Sequence, residues 1–167
     1  MSKLTDKQTE KYSRQIIIEK IGLSGQKKIL NSSICIVGCG GLGSSAAQYL
    51  SMTGIGNIML IDNDIINLSN LNRQTLFFEK DIGKSKVDTL KKNLQEISPE
   101  AKIKAIKKKI NKKNIDNYLS QYKIILDCTD NFQSRYLINE YCFKKKKILV
   151  SAALQNFDLQ ASVFASW

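Results

Sequence analysis

The chain has 167 residues, 43% of them hydrophobic and 25% charged, with a formal net charge of +11 and no histidine. This balance fits a globular chain long enough to bury one core and excludes an intrinsically disordered one. The longest apolar runs, such as Ile34 to Val37 and Ile124 to Leu126, are far too short to span a bilayer.

The opening segment, Met1 to Gln8, lacks the apolar core of a signal peptide, so the expected compartment is the cytoplasm, with the four cysteines as free thiols. The lysine runs Lys107-Lys108-Lys109, Lys112-Lys113 and Lys144 to Lys147 carry no interleaved aromatics and no nucleic-acid motif. They read as solvated faces, and no nucleic-acid partner is expected. Only three of the 26 basic residues are arginine: Arg14, Arg73 and Arg135. In a lysine-rich chain an arginine marks a place that needs a planar, multi-donor fork, as for phosphate or carboxylate.

In chain order, Thr5-Asp6-Lys7-Gln8 reads as a capping box that opens one helix ending near Gly22, with Tyr12, Ile16 and Ile17 on its apolar positions. Ile34 to Val37 reads as a strand buried on both faces, followed by the glycine turn Gly38-Cys39-Gly40-Gly41-Leu42-Gly43 and a helix that stops at Gly54. Ile58 to Asp62 is the second strand, and a helix over Lys84 to Ile97 is closed by Pro99, the only proline. The alternation continues with strand Ile103 to Ile106, helix Lys112 to Ser120, strand Lys123 to Asp127, helix Phe132 to Lys144, strand Ile148 to Ser151 and a last alternating strand over Leu159 to Ala165.

This order predicts an α/β fold: a Rossmann-like, mostly parallel sheet with helices on both faces, preceded by an N-terminal helix. One domain over residues 1–167 is expected, with a helical arm at about 5–30 and a nucleotide-binding core at about 31–167. Because the chain stops at Trp167 directly after a strand, the sequence is expected to be an incomplete protein.

The glycine turn is a G-x-G-x-x-G between a strand and a helix. There Gly38 permits the turn, Gly40 lets backbone approach a phosphate, and Gly43 allows helix and strand to pack closely. Asp62 lies 19 residues past Gly43, where a carboxylate can accept ribose hydroxyls. Up to this point NAD, FAD and ATP remain open. The polar segment Asn67 to Gln74, with Asn70, Arg73 and Gln74, can reach over a nucleotide's phosphates, joined by Lys86 from the next helix. A dinucleotide oxidoreductase does not need this second cationic cluster, whereas a reacting triphosphate does. Taken alone, Lys86 reads as an exposed helix lysine. In Asp127-Cys128-Thr129-Asp130-Asn131 two carboxylates stand at the carboxyl end of the sheet, where Mg²⁺ is held by one or two carboxylates together with phosphates. Asp130 is the candidate ligand. It also reads as the cap of the helix near Phe132, and either role can fall to Asp127 or Asn131.

Six segments together, Tyr12-Ser13-Arg14-Gln15-Ile16, the glycine turn, Asp62-Asn63-Asp64, Leu68 to Gln74, Gly83-Lys84-Ser85-Lys86 and Leu126 to Asn131, resemble the family of ThiF, MoeB and the ubiquitin-activating enzymes. The resemblance implies an ATP-dependent adenylyltransferase that activates the terminal glycine carboxylate of a ubiquitin-like sulfur-carrier protein, in thiamine or molybdenum-cofactor synthesis. It implies ATP or Mg²⁺ contacts for Gly41, Asp62, Asn70, Arg73, Lys86 and Asp130, and a homodimer in which Arg14 reaches the partner's site. It gives Arg14, Arg73, Lys86 and Asp130 catalytic roles; Gly38, Gly40, Gly43, Asp64, Gln74 and Asn131, read from the motifs above, complete the expected nucleotide site. The family's zinc-binding Cys-x-x-Cys pairs fall beyond the equivalent of Trp167. Cys35, Cys39, Cys128 and Cys142 read as packing residues, so no zinc site is expected here. Much of the carrier groove also falls beyond Trp167, so this chain is expected to bind nucleotide yet adenylate poorly. The competing readings are an NAD- or FAD-dependent oxidoreductase and a non-catalytic nucleotide-binding module.

Overall fold

The computed structural model describes residues 4–165; Met1 to Lys3, Ser166 and Trp167 lie outside the described residues. Six strands form one sheet: β1 (Ser33–Val37), β2 (Asn57–Ile61), β3 (Lys102–Ile106), β4 (Ile124–Asp127), β5 (Ile148–Gln155) and β6 (Asp158–Phe164), in the order β3-β2-β1-β4-β5-β6. All neighbouring pairs are parallel except β5 and β6, which form an antiparallel hairpin. The Rossmann-like expectation is met, and the chain reverses direction across the sheet between β1 and β4.

Alternation along the strands explains the two cores. Ile34 and Ile36 of β1, with Ile58 and Leu60 of β2, point to one face, where helices α4 (Gly41–Met52) and α5 (Lys86–Ile97) cover them with Ala47, Val87, Leu90 and Leu94. Cys35, Val37, Met59 and Ile61 point to the other, under α6 (Ile115–Leu119) and α7 (Phe132–Lys144), which supply Ile115, Leu119, Ile138 and Tyr141. A stretch of strand buried on both faces must be apolar at every position, and β1 and β2 are so after their partly exposed first residues, Ser33 and Asn57.

The N-terminal arm departs from the single helix expected. It forms α1 (Asp6–Lys11), α2 (Ser13–Ile16) and α3 (Gly22–Leu30), with the capping box at Thr5 and Gln8 as read. The break falls at Tyr12, whose buried ring packs against Gly54 and whose hydroxyl donates to Glu100 at 2.7 Å. Turning Tyr12 inward leaves Ile17 at 73% exposure, so Ile17 is not the core position its spacing predicted. Gln26, fully buried, donates to the Thr53 carbonyl at 3.0 Å and accepts from Gln15 at 3.1 Å. The arm is thereby fastened to the C-terminal end of α4.

Helix α6 starts three residues later than the expected Lys112. The Asn111 side chain accepts from the Lys113 and Asn114 amides and holds those residues in a turn. Strand β5 runs four residues past the expected Ser151, to Gln155, because it pairs with β6 as far as Gln155 opposite Asp158.

A candidate nucleotide cleft at the carboxyl ends of the strands

Register sets the site. Val37 pairs with Ile61 on one side and Asp127 on the other, so the residues that follow, Gly38, Asp62 and Cys128, leave the sheet side by side. They open into a cleft of about 1200 Å³. Gly38, Gly40, Gly41, Asp62, Asp64, Arg73, Gln74, Lys86, Asp130 and Asn131 all line it. Gly43 lies beneath the turn, and neither Asn70 nor Arg14 is part of the lining.

The four glycines of the turn divide into two kinds. At Gly43 a Cβ would stand 1.8 Å from the Gly38 carbonyl oxygen, and at Gly38, with φ +90°, it would stand 2.6 Å from that of Cys128. Both are required by the chain itself. Gly40 and Gly41 are different: the nearest atoms to their missing Cβ positions are Gln74 Nε2 at 3.7 Å and Arg73 Cγ at 3.6 Å, ordinary contact distances. No packing within the chain forbids a side chain there, so the bare backbone keeps space in the cleft for an occupant. Gly40 is the N-cap of α4, whose first amides and helix dipole favour an anion in that space.

Asp62 is held rather than free. Its Oδ2 accepts from the Cys39 amide at 2.7 Å and its Oδ1 from the Asp64 amide at 2.8 Å, which leaves further lone pairs facing the cleft. Lys86, only 7% exposed, pairs with Asp64 at 3.0 Å, so the exposed helix lysine read from the sequence is instead a nearly buried cation. It is the first residue of α5, capped by Ser85. The backbone carbonyl of Asn70 accepts the amides of Arg73 and Gln74 at 3.2 and 3.0 Å, and its Oδ1 accepts from the Asn67 amide at 3.1 Å. Asn70 thus builds the turn that carries Arg73 and Gln74. Arg73 lays its methylenes along Gly41 and donates Nη1 to the Ser69 carbonyl at 2.8 Å. Gln74 is 2% exposed and its Oε1 is buried with no hydrogen-bond partner, an arrangement that costs about 1–3 kcal/mol.

The loop after β4 assigns its three polar residues separately. Buried Asp127 accepts from the Thr129 amide and hydroxyl at 3.0 and 2.6 Å and from the Ser151 hydroxyl at 3.3 Å. Asn131 caps α7 by accepting from the Ser134 amide at 2.9 Å. Asp130 is left exposed on the cleft, with only a 3.5 Å contact from the Asn131 amide nitrogen. The described residues contain no group of three or more His, Cys, Asp or Glu able to hold a metal. As a lone exposed carboxylate on the cleft, Asp130 could hold a divalent cation only together with phosphate oxygens and water. Arg135 spends its fork inside the protein, donating to the carbonyls of Thr129 and Ala152 and to the Ser151 hydroxyl.

Arg14 sits elsewhere. Its neighbour Gln15 donates to the Thr53 carbonyl at 3.2 Å, at the far end of α4 from the glycine turn, about 18 Å away for a 12-residue helix. Burial pushes the Cys128 thiol up to about 12, with Asp127 adding to it, and burial likewise holds Cys39 well above its usual range, so neither is a thiolate. Sequence reading missed Lys108 and Lys109, which line the cleft instead of facing bulk solvent alone, and the stacked pair Phe132 and Tyr136 on α7, with ring centroids 6.2 Å apart. Only the α7 pair left a signal in the sequence, two aromatics at i and i+4 beside the Asp130 motif.

The ThiF family model matches residues 12–167. The chain belongs to the ThiF family. A relative from Porphyra purpurea, described as a probable molybdopterin-synthase adenylyltransferase, is 44% identical over 154 residues, which are 92% of this chain and 40% of the relative. Among solved structures, E. coli MccB with ATP superposes with a TM-score of 0.79 at 31% identity, over 87% of this chain and 46% of that one. E. coli tRNA N6-threonylcarbamoyladenosine dehydratase, TcdA, in complex with ATP, gives a TM-score of 0.80 at 29% identity, over 88% and 60%. The chain thus spans less than half the length of the curated relatives it matches.

Proposed function

We propose that the chain binds Mg-ATP and serves an adenylyltransferase that activates the C-terminal glycine carboxylate of a ubiquitin-like sulfur-carrier protein, working in the cytoplasm as a homodimer. One observation carries the reading: bare glycines at a helix N-terminus share a single cleft with Arg73, nearly buried Lys86 and an uncommitted Asp130. NAD has no use for two cations and a free carboxylate beyond its pyrophosphate turn; a triphosphate with Mg²⁺ uses all three.

In this reading Asp62 accepts the ribose hydroxyls, the α4 amides take a phosphate over Gly40 and Gly41, and Arg73 and Lys86 neutralise the remaining phosphates. Asn70 acts by holding the turn that presents Arg73, and Asp64 by holding Lys86 until phosphate displaces it. Asp130 would hold Mg²⁺, which would supply positive charge to neutralise the phosphates. A carboxylate oxygen of the carrier attacks the α-phosphorus, the bond from that phosphorus to the bridging oxygen of pyrophosphate breaks, and an acyl-adenylate forms. The attacking carboxylate is already ionised, so no general base is needed and a chain without histidine suffices. Positioning and charge neutralisation do the work.

The position of Arg14 supports a contribution in trans. Its neighbour Gln15 is tied to the end of α4 away from the glycine turn, and Arg14 does not line its own cleft, which fits a role at the site of a partner subunit. The test is pyrophosphate exchange into ATP. Exchange should require a carrier with a free terminal glycine carboxylate and disappear when that carboxylate is amidated. Exchange that ignores the carrier would contradict the proposal.

A further inference from the structure

The only buried side-chain nitrogen or oxygen left without a partner among the described residues is Gln74 Oε1. Buried amides are normally satisfied, so this one needs a reason. The residue is fixed from both sides: its own amide donates to the Asn70 carbonyl, and its carbonyl accepts from the Phe77 amide. The side chain lines the cleft, and its Nε2 stands 3.7 Å from the Cβ position that Gly40 leaves empty. The orphaned oxygen faces protein and the NH₂ faces the space over the N-terminus of a 12-residue helix. Turning the amide over would bury the NH₂ and aim a lone-pair oxygen at that space.

We propose that Gln74 binds the nucleotide directly, its side-chain amide donating to a phosphate oxygen seated over Gly40, and that its stranded Oε1 is the cost of keeping that donor aimed. The inference rests on the nucleotide reading above and deepens it. Arg73 and Lys86 supply charge, whereas a neutral donor next to the helix amides supplies direction, since an N–H···O hydrogen bond is strong only over a narrow range of angles. An acceptor in the same place would be repelled by phosphate, so the site distinguishes amide from carboxylate. Gln74 is also the one member of the cleft whose contribution to binding is opposed by its contribution to the unbound fold.

That opposition gives the test. Mg-ATP affinity by calorimetry and the melting temperature of the nucleotide-free protein are measured for the wild type, Gln74→Met and Gln74→Glu. Gln74→Met keeps the length, removes the stranded oxygen and removes the donor. It should melt no lower than wild type yet bind Mg-ATP about tenfold more weakly, the scale of one hydrogen bond to a charged group. Gln74→Glu is isosteric and should bind more weakly still, with the greater loss at high pH, where the carboxylate is charged. A Gln74→Met protein that melts lower and binds Mg-ATP within about twofold of wild type would show that the amide is merely structural. Wild-type protein that binds no Mg-ATP would overturn the nucleotide reading itself, and this inference with it.

Discussion

In the wing of the sheet formed by β3, β2 and β1, strands β1 and β2 are covered on both faces, β3 exposes Lys102 and Lys104 at the edge, and the polar groups at the carboxyl end are mostly tied: Asp62 to two amides, Lys86 to Asp64, Asn70 to its own turn. The wing formed by β5 and β6 is bare by contrast. Leu154, Leu159 and Val163 share one face through their cross-strand register and are 62%, 68% and 66% exposed, while Phe157 at the hairpin tip is fully exposed. The finished wing supplies the tied polar groups of the cleft, while the bare wing lines the same cleft with Ala153, Leu154, Gln155, Gln160 and Phe164 and carries apolar surface out to the hairpin tip. The difference teaches that the preorganised part of the site and the exposed apolar part sit on separate strands, so each can be altered alone.

The largest expected effect separates the two kinds of glycine in the finished wing. Gly43→Ala would place a Cβ 1.8 Å from a backbone carbonyl, and a clash that only backbone movement can relieve should cost more than about 3 kcal/mol and show as a lost or greatly lowered melting transition. Gly40→Ala meets nothing closer than 3.7 Å and should keep its melting temperature within a few degrees while losing most of its Mg-ATP affinity. Equal damage from both would erase the distinction.

Next in size is the crossing between subunits. Arg14→Ala and Asp130→Ala should each abolish exchange, and mixing the two inactive proteins should restore about a quarter of the sites, because half of the dimers are mixed and each carries one intact site. No recovery on mixing would mean that Arg14 and Asp130 of one and the same subunit serve one site, or that no dimer forms.

A smaller effect concerns the arm. Burial acts to raise the Glu100 carboxyl, but hydrogen bonds from Lys11 and Tyr12 outweigh it and hold its pKa below the usual glutamate range. A carboxyl depressed in the folded state stabilises fully above its unfolded value and loses that contribution as pH falls through the folded value. Proteolysis within α1 should therefore accelerate below about pH 4 while cleavage elsewhere lags. Glu100→Gln should remove the pH dependence.

The smallest effect belongs to the bare wing. Leu159→Lys should change stability by under about 0.5 kcal/mol, since its side chain already faces solvent, and should reduce self-association in light scattering. A large loss of stability would mean that this face is covered in solution.

The finished wing was legible in the sequence because its signals are local: a β-branched apolar run, a glycine turn and an N-cap residue each act within a few positions. The bare wing was legible only in part: both of its strands were expected, but not the turn that joins them or the full length of β5. The β5–β6 turn, Asn156-Phe157, contains no glycine, and Asn156 itself takes φ +54°, so no strong hairpin signal marks it. The extension of β5 to Gln155 follows from pairing with β6, which is a tertiary event. In the site, residue types were readable but allegiances were not. Asp127, Asp130 and Asn131 looked interchangeable until the Thr129 and Ser151 hydroxyls claimed the first and the Ser134 amide the last. Lys86 read as a solvent-facing lysine because burial by Asp64 and the loop above it leaves no trace in helix periodicity.

The central claim, that this cleft is built for a triphosphate with its metal, is tested most directly by calorimetric titration of the purified chain with ATP and with NAD, each with and without Mg²⁺. The account predicts that Mg-ATP binds at least about tenfold more tightly than NAD, that removing Mg²⁺ weakens ATP alone, and that Asp130→Ala abolishes that dependence. NAD binding as tightly as Mg-ATP, or ATP binding indifferent to Mg²⁺ in the wild type, would contradict it.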